Sequence, residues 1–499
     1  MITSETVPFS KSGGLADVVG AITPALIAKG HDARIVVPSY NTKIQDSGDL
    51  VCTLSIEMLS GPEQVEIRSK TIYGSAANGT TSSTAGVDAD ASNASGVTYY
   101  FICHKVFNDR LGIYGDTSFT PYSDNFFRFA LMSKAALQLC EVINWRPDIL
   151  HCHDWTAGLV PYFLKLNRSQ FFMGTQTVFT IHNLAYQGTF PRMDFLYANV
   201  RPDDNLFFNG QINMIRAALI YSDYITTVSP TYAKEIQTPQ YGCGLDSILQ
   251  KRHNKLCGIV NGIDTKEWNP EEDALIPYHF SINDMAGKAD LKREIQQHFK
   301  LPVRPDVPLF AMISRLAAQK GFDTLINCLE NIVSENDVQF VIIGTGDANL
   351  ENKLKDIGER HENVSVNILF SNKYAHLVES GSDFFLMPSR YEPCGLNQIY
   401  SLRYGTIPIA HKTGGLADTI IDVDNFHGQG TGILFEELNE DQITNSIKKA
   451  CRIYKQQSGA DSIKEIRKRA MQQDFSWPAS ADQYISVYTK LIDKTGGKK

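Results

Sequence analysis

The sequence predicts an α/β protein made of two domains, each with a parallel sheet covered by helices. The chain has 499 residues and a mass of 55.6 kDa, which is long for one domain and suits two large ones. Short β-branched runs alternate with longer amphipathic stretches in both halves, which is typical of strand–helix–strand units with parallel strands. Because open sheets seldom exceed about ten strands, we expect two sheets, one in each half.

The predicted strands form two sets of five. The first set is Ala33–Val37, Asp148–His151, Thr177–Ile181, Tyr224–Val228 and Leu256–Val260. The second set is Leu309–Ile313, Val338–Ile343, Val364–Ile368, Asp383–Met387 and Thr406–Ala410. Helical patterns between them include Asn125–Val142 and Thr324–Val333.

The domain boundaries follow from turn-forming residues. We place the first domain at 1–264 and the second at 265–479, because the turn-like stretch 268–272 and a group of prolines follow the join. A helical pattern near the end predicts a terminal helix at about 480–499. Residues 75–96 are rich in Ala, Ser, Thr, Gly and Asn, so we expect a flexible surface insertion there.

Composition excludes several classes of protein. Hydrophobic residues make up 43% and charged residues 20%, as in globular proteins. The net charge of −8 argues against a nucleic-acid binder that relies on overall basic charge, and no apolar run approaches the roughly 20 residues of a membrane span. Nine cysteines without a C-x-x-C pair indicate reduced thiols in a reducing compartment.

One short motif occurs twice. Residues 12–17 read Ser-Gly-Gly-Leu-Ala-Asp, and residues 413–418 read Thr-Gly-Gly-Leu-Ala-Asp. Each copy lies where a strand ends and a helix begins, a place where glycine lets backbone N–H groups approach an anion. Paired glycines often only close a turn, but two matching loops, one in each half, suggest a cleft lined from both sides. Lys11 adds positive charge at the first loop.

Polar residues follow several of the predicted strands. They include His151–Trp155, His182–Asn183, Asn261–Asp264 and Ser314–Arg315. In open α/β sheets ligands bind at the carboxyl ends of the strands, so functional groups should collect at these positions. A single histidine there would more often be a structural hydrogen-bonding group, but several polar strand ends in one chain favour a site.

These polar residues leave more than one chemistry open. His151 and His153 share a face of a strand and precede Asp154, but a third metal ligand is not evident, so we expect no metal. Arg315 and Lys320, five residues apart across a strand-to-helix loop, suit a diphosphate better. The alternative is a salt-bridging pair of surface cations.

The last polar strand end leads into Glu392-Pro393-Cys394-Gly395-Leu396-Asn397. Proline favours the first turn of a helix, so Glu392 would lie beside exposed N–H groups. An acidic side chain there can simply complement the helix dipole. Cys394 has the setting of a reactive thiol, but no histidine relay is evident around it.

Together these motifs resemble the bacterial and plant glycogen and starch synthases that use ADP-glucose. The matching segments are Lys11–Val18, His153–Trp155, Thr180–Gly188, Asn261–Asp264, Ser314–Leu316, Gln319–Gly321, Glu392–Leu396 and Thr413–Asp418. Any one of them arises easily by chance. All of them occur in the family's order and span nearly the whole chain.

The resemblance implies a GT-B architecture, in which two Rossmann-like domains face each other across a deep inter-domain cleft. It also implies that the C-terminal helix returns to the first domain, as Phe475–Trp477 and Ala481–Leu491 suggest. The implied reaction transfers glucose from ADP-glucose to the non-reducing end of an α-1,4-glucan such as glycogen or starch. We expect a cytoplasmic protein, with the plastid stroma as the alternative if the product is starch. It proceeds with retention of configuration and needs no metal or other cofactor.

The resemblance also implies roles for single residues. Arg315 and Lys320 would neutralise the leaving diphosphate, His182 would face the oxocarbenium-like sugar, and Glu392 would support that sugar. The implied substrate-binding residues are Lys11, Gly14, Asp17, Asp154, Asn261, Phe370, Cys394, Gly395, Leu396, Asn397, Thr413, Gly414 and Gly415. Among them, Lys11 and Gly14 would contact the diphosphate, Asn261 a glucose hydroxyl, and Phe370 the adenine.

The chain departs from related transferases at one position, where Tyr400 replaces a second glutamate that holds the ribose.

Three rival functions stay open. An α-glucan phosphorylase shares the two-domain plan but needs pyridoxal phosphate. A UDP-glucose or sucrose- or trehalose-type transferase would differ in donor. A catalytically inactive glucan-binding protein would show no turnover with any donor.

Overall fold

The structure is a computed structural model that describes residues 1–40, 48–73, 96–118, 120–167, 169–201, 203–424, 428–456 and 458–496. The described chain divides into two compact units. Unit 1 comprises Met1–Val228, Ala233–Gly262 and Trp477–Lys499, and unit 2 comprises Ser229–Tyr232 and Ile263–Ser476. The joins therefore lie at 262/263 and 476/477, against 264/265 and 479/480 from the sequence. Nearly all of the insertion expected at 75–96 lies outside the described residues.

The first 262 residues contain eleven strands and seven α-helices among the described residues. The strands are β1 Arg34–Pro38, β2 Asp49–Met58, β3 Gly61–Ile72, β4 Val97–Cys103, β5 Ile149–His153, β6 Gln176–Ile181, β7 Thr189–Pro191, β8 Phe207–Phe208, β9 Gln211–Asn213, β10 Tyr224–Thr227 and β11 Leu256–Gly258. The helices are α1 Gly14–Ala28, α2 Lys105–Asn108, α3 Asn125–Val142, α4 Val160–Leu166, α5 Met214–Tyr221, α6 Pro230–Glu235 and α7 Asp246–Lys251.

The sheet of unit 1 is organised around its first residues. Ile2 bridges Val36 of β1 on one side and Cys152 of β5 on the other, both in parallel. Ile2 thus joins two ladders, β2-β3-β4-β1 and β5-β6-β10-β11. From β4 to β11 all pairings are parallel, and the hairpin β2–β3 adds an antiparallel edge. Three short strands form a separate sheet in the order β7-β9-β8.

Unit 2 contains one fully parallel sheet. Its strands are β12 Leu309–Ile313, β13 Gln339–Ile343, β14 Val364–Asn367, β15 Phe384–Met387, β16 Ile407–His411 and β17 Ile433–Phe435. Its helices are α8 Ala286–His298, α9 Phe322–Glu335, α10 Ala348–Arg360, α11 Asn372–Gly381, α12 Asn397–Arg403, α13 Gly414–Thr419, α14 Glu440–Lys455 and α15 Ile463–Met471. The strand order β14-β13-β12-β15-β16-β17 is the doubly wound order of a Rossmann fold.

The last helix, α16 Trp477–Gly496, belongs to unit 1. Its apolar face carries Trp477, Tyr484 and Leu491 into a buried cluster with Val18 and Ile22 of α1. The terminal helix therefore packs into the core of unit 1, the unit to which the N-terminal residues belong.

All ten predicted strands are present. Leu309–Ile313 and Asn125–Val142 have the predicted bounds, and the other predicted elements up to Ile407–His411 shift by one or two residues at their ends. The hairpin β2–β3, the short strands β7 to β9 and the edge strand β17 were not predicted.

All nine cysteines are free. Among the described residues no helix combines the length and apolar character that crossing a membrane requires.

Candidate active site

Both sheets have a topological switch point, and the polar motifs follow the strands that form it. In unit 2 the neighbours β12 and β15 connect to opposite sides of the sheet, and the loops after them carry Arg315, Lys320 and Glu392. In unit 1 the neighbours are Ile2 and β5, which lead to the first glycine loop and to Asp154. Ligands of open α/β sheets bind at such points.

The first glycine loop is open. Helix α1 begins at Gly14, and a Cβ atom added to Gly13 or Gly14 would meet no described atom within 4 Å. Lys11 Nζ lies 2.7 Å from Asp17 Oδ1 on the exposed side of the loop. The two glycines therefore leave space beside the helix N-terminus, and packing does not explain them.

The buried side chain of Glu5 supports this loop and was missed from the sequence. Its carboxylate accepts hydrogen bonds from the backbone N–H of Ser12, the N–H of Gly13 at 3.3 Å and the hydroxyl of Tyr114 at 3.1 Å. Glu5 is only 2% exposed, and burial raises its pKa. The one sign of Glu5 in the sequence is an acidic residue shortly after Ile2, and no motif surrounds it.

Asp154 links the ends of β5 and β6. Its backbone has φ 55°, in the left-handed region that non-glycine residues rarely adopt. In this conformation Asp154 Oδ1 accepts the backbone N–H of His182 at 2.8 Å. Burial is the main cause that raises the pKa of Asp154 to about 7. The strained backbone therefore holds a carboxyl group that titrates near neutral pH.

His182 and Asn261 both offer polar atoms without a described partner. His182 Nε2 lies 3.1 Å from His153 Nδ1, while His182 Nδ1 makes no hydrogen bond to the described residues. Burial lowers the pKa of His182 to about 3, so the ring is neutral. Asn261 is 6% exposed, and its Oδ1 has no hydrogen-bond partner among the described residues. A buried unpaired carbonyl oxygen is typical of a site that a ligand completes.

In unit 2, Lys320 and Glu392 form a pair. Lys320 Nζ lies 2.5 Å from Glu392 Oε2, and Ser389 Oγ donates to the same oxygen at 3.1 Å. The side chain of Glu392 is 8% exposed and that of Lys320 is 20% exposed. The resemblance gave these residues separate tasks, and the structure adds their direct contact.

The loops after β12 and β15 hold each other. Gly321 has φ 75°, and a Cβ atom there would lie 1.8 Å from the carbonyl oxygen of Pro388. Arg390 donates its backbone N–H to the Gln319 carbonyl oxygen at 2.8 Å. Arg315 is exposed, and its guanidinium reaches Gln319 Oε1 at 3.3 Å. These contacts present two cations on one loop.

The second glycine loop is closed by packing. The N–H of Gly415 donates to the Glu392 carbonyl oxygen at 3.0 Å, so this donor is occupied. A Cβ atom at Gly414 would lie 1.9 Å from that same oxygen, and one at Gly415 would lie 2.1 Å from the Cys394 carbonyl oxygen. Thr413, the N-cap of α13, is buried. The loop thus braces the backbone that carries Glu392.

The remaining predicted binding residues lie around the start of α12. Leu396 is its N-cap, and Asn397 Nδ2 donates to the Ile313 carbonyl oxygen of β12 at 3.0 Å. Gly395 has φ 73°, and Cys394 is buried, where a reactive thiol would need access. Phe370 follows the edge strand β14 and is 94% exposed, so its stacking role stays a prediction. No group of three or more His, Cys, Asp or Glu side chains is placed to hold a metal within the part of the chain that the structure describes.

Two family models match the chain. The starch synthase catalytic domain matches residues 1–251, and the model for glycosyl transferases group 1 matches residues 293–469. The first covers nearly all of unit 1 before α16, and the second covers most of unit 2. The two matched segments contain all but one of the predicted site residues, Asn261 being the exception.

Similar proteins agree with these models over the full length. A glycogen synthase of Treponema denticola is 40% identical, with 99% of this chain and 98% of that protein covered. A glycogen synthase of Myxococcus xanthus is 42% identical, with 98% of each covered. The catalytic domain of starch synthase IV from Arabidopsis thaliana, solved with ADP and acarbose, is 31% identical with a TM-score of 0.84, and 99% of this chain and 98% of that chain are covered. The chain therefore belongs to the family of glycogen and starch synthases, which are GT-B glucosyltransferases.

Proposed function

We propose that the protein transfers glucose from ADP-glucose to the non-reducing end of an α-1,4-glucan, with retention of configuration and without a metal or other cofactor. The Lys320–Glu392 pair at the switch point of unit 2, beside Arg315, is the observation that carries the proposal. The Arabidopsis starch synthase solved with ADP and acarbose, a nucleotide and an oligosaccharide analogue, supports this choice of substrates.

The first task is the charge of the leaving group. When the bond from glucose C1 to the phosphate oxygen breaks, negative charge grows on ADP. Arg315 and Lys320 are fixed on one loop, and cations placed in advance at developing charge are usually the largest electrostatic contribution to such a reaction. Lys11 and the open space beside Gly14 would take the diphosphate from unit 1.

The second task is to hold the sugar. Asn261 Oδ1 is a buried acceptor for a glucose hydroxyl, and His182 Nδ1 is available for another. The carboxylate of Glu392 would support positive charge at C1, with Asp17 and Asp154 near the sugar or acceptor. In this scheme Phe370 stacks on adenine. Residues 394–397 and 413–415 shape the phosphate region, Gly415 through the Glu392 backbone that its N–H holds.

The resemblance to the glycogen and starch synthases carries the stereochemical proposal. Retaining glycosidases use two carboxyl groups about 5 Å apart, one of which is a free nucleophile. Here Glu392 is the one carboxylate that we propose at C1, and its Oε2 is bound by Lys320 and Ser389. As the resemblance implies, we propose departure and attack on one face. The C1–O bond to ADP breaks, the bond from C1 to the acceptor O4 forms, and the leaving phosphate takes the hydroxyl proton.

The test is a comparison of initial rates with ADP-glucose and UDP-glucose at equal concentrations, with glycogen as acceptor and EDTA present. We expect a strong preference for ADP-glucose and no loss of rate in EDTA. Product linkage is then read by digestion with an α-specific exoglucosidase, which should release all transferred glucose. A β-linked product would contradict retention, and a loss in EDTA that added Mg²⁺ restores would contradict the metal-free reaction.

Two other outcomes correspond to the rival functions. A preference for UDP-glucose would keep the reaction and replace the donor. Transfer from neither donor, together with binding of glycogen, would indicate a catalytically inactive glucan-binding protein, or an α-glucan phosphorylase if absorbance near the visible edge reveals pyridoxal phosphate.

A further inference from the structure

Three histidines of unit 1 lie together behind the proposed sugar site. His151 and His153 are two residues apart on the same face of β5, and their ring centroids are stacked at 4.2 Å. His153 Nδ1 lies 3.1 Å from His182 Nε2. His151 is bound at both nitrogens, by Tyr488 at 2.7 Å and Thr180 at 2.5 Å. His153 is completely buried, and its Nε2 has no partner among the described residues.

The contact between His153 and His182 requires one hydrogen between two ring nitrogens. Both rings are neutral near pH 7, because burial lowers the pKa of His182 to about 3 and that of His153 well below its ordinary value. A neutral imidazole carries one N–H, so either His153 donates from Nδ1 or His182 donates from Nε2.

The environment of His153 Nε2 distinguishes these arrangements. If His182 donates, the hydrogen of His153 must be on Nε2, where a buried N–H would have no acceptor. If His153 donates, its Nε2 is a bare acceptor, which is the less costly atom to leave unpaired. Orphaned buried N–H groups are rare in native proteins, and unpaired acceptors are less so.

We propose that His153 donates its Nδ1–H to His182 Nε2 and so fixes His182 in the tautomer that carries its hydrogen on Nδ1. The half-buried His182 then offers an N–H donor at the ring nitrogen that has no protein partner. His153 is a positioning residue in this arrangement, since it acts through His182.

The consequence for the substrate rests on the proposed function. A fixed Nδ1–H gives a sugar hydroxyl oxygen a donor at His182, while Asn261 Oδ1 offers an acceptor. In the other tautomer both positions would be acceptors. A hydroxyl can supply only one hydrogen, so the donor sets which orientation of the glucosyl unit is bound.

The tautomer can be measured without substrate. Long-range ¹H–¹⁵N spectra of protein labelled with ¹⁵N-histidine distinguish protonated from bare ring nitrogens, and the signals of His182 among the 12 histidines are assigned by their loss in His182→Asn. We expect both His153 and His182 to carry their hydrogens on Nδ1. A hydrogen on Nε2 of either residue in the unaltered protein overturns the proposal.

Variants test whether His153 sets the state. His153→Phe keeps an aromatic ring on His151 but removes the donor, so we expect His182 to populate both tautomers. Partners that orient a metal-ligating histidine typically matter about 10- to 100-fold, and we expect a comparable fall in kcat here, with little change in the donor KM. His153→Asn places an amide N–H near the lost Nδ1–H and should restore the Nδ1–H tautomer of His182.

His151→Phe is the matched control, because His151 is equally buried on the same strand and bonds Tyr488 and Thr180 instead of His182. We expect it to leave the His182 tautomer unchanged. If His182 keeps a single Nδ1–H signal in His153→Phe, His153 does not set the tautomer. If that variant does not fold, the spectrum of the unaltered protein decides, because a hydrogen on Nε2 of His153 or His182 there overturns the proposal. If no nucleotide sugar is turned over while the spectra show the expected tautomers, the proposed function fails and the tautomer assignment stands.

Discussion

The two copies of Gly-Gly-Leu-Ala-Asp have the same sequence and different structural roles. In unit 1 a Cβ atom at Gly14 would meet nothing within 4 Å, and Asp17 pairs with the exposed Lys11. In unit 2 a Cβ atom at Gly414 would lie 1.9 Å from the Glu392 carbonyl oxygen. Asp418 there accepts the N–H and hydroxyl of Thr231 at 2.8 and 2.7 Å.

The difference extends beyond the glycines. In unit 1 two of the proposed ligand-binding atoms, Asn261 Oδ1 and His182 Nδ1, have no described partner. In unit 2 the corresponding groups are already paired, as Lys320 is with Glu392 and Asn397 with the Ile313 carbonyl oxygen. Unit 2 therefore holds its reactive groups in place by its own contacts, while unit 1 leaves space and unpaired atoms for a ligand to complete.

The largest effect should come from the pair that the closed loop positions. Glu392→Gln keeps the shape and can still accept from Ser389 and Lys320, so the fold should remain while the charge is lost. We expect turnover to fall about 10²- to 10³-fold, the usual cost of removing one such electrostatic group. Initial rates measure this, with circular dichroism as the check on folding.

Exposed Glu362→Gln, on the surface of unit 2, is the matched control and should keep full activity. Lys320→Met should show a comparable loss of turnover and a lower unfolding midpoint, because it leaves Glu392 without its cation. Normal turnover in Glu392→Gln would contradict the assignment of the active-site charges to unit 2.

The glycines should differ most clearly in stability. Gly415→Ala forces a methyl group against backbone, so we expect a loss of about 1–3 kcal/mol, or more if the loop cannot shift, together with lower activity. Gly14→Ala should change stability by less than about 0.5 kcal/mol and lower kcat/KM for the donor. Calorimetric midpoints measure the first effect. Equal losses of stability in the two variants would contradict the distinction between an open and a closed loop.

The pH dependence should report on the open unit. Burial raises the pKa of Asp154 to about 7, so its carboxyl group is largely neutral below that pH. If its negative charge supports the sugar, the rate should rise through pH 7, with roughly a tenfold change per unit well below it. The Asp154→Asn variant should have a low rate that does not rise with pH through this range.

Stability provides a control for that profile. The folded pKa of Asp154 is raised from 3.8 to about 7, so its contribution to stability decreases as pH rises through that range. The folded pKa of His182 is lowered from 6.5 to about 3, so its contribution increases over nearly the same range. The pKa values of His151 and His153 are lowered as well, so the contributions of these histidines increase up to about pH 6.5 and are complete above it. The unfolding midpoint should therefore level off or fall above pH 6.5, while the rate still rises through pH 7. A midpoint that rises together with the rate through pH 7 would show that the change in rate reports on folding.

The smallest expected effect is a difference in stability between variants of two asparagines, Asn397 and Asn261. Asn397→Leu removes a hydrogen bond to the Ile313 carbonyl oxygen and should cost about 1 kcal/mol. Asn261→Leu removes a buried carbonyl oxygen that has no described partner, so stability should be unchanged or slightly higher while donor kcat/KM falls. A loss of stability in Asn261→Leu as large as in Asn397→Leu would show that Asn261 is satisfied within the protein.

The sequence predicted the parallel strands well because both faces of such strands are buried and their apolar runs are continuous. It missed the hairpin β2–β3, where Leu54, Ile56 and Met58 alternate with exposed residues. That alternation around Ser60-Gly61 is the signal of an antiparallel edge, and it was available.

Contacts within the site were harder to predict than its members. Lys320 and Glu392 are 72 residues apart, and their pairing depends on β12 and β15 being neighbours, which only the sheet order decides. Glu5 meets Tyr114 across 109 residues and has no motif of its own. The two glycine motifs read alike because what distinguishes them, the Glu392–Cys394 backbone, lies elsewhere in the chain.

The position of α16 in unit 1 has a consequence for synthesis on the ribosome. Multidomain chains usually fold from the N-terminus onward as they emerge. Here unit 2 is complete once residue 476 has been made, whereas unit 1 still lacks the helix that packs Tyr484 and Leu491 against α1. The second half of the message therefore encodes the unit that is complete first, and the face of α1 that α16 covers stays uncovered until the last helix has been translated.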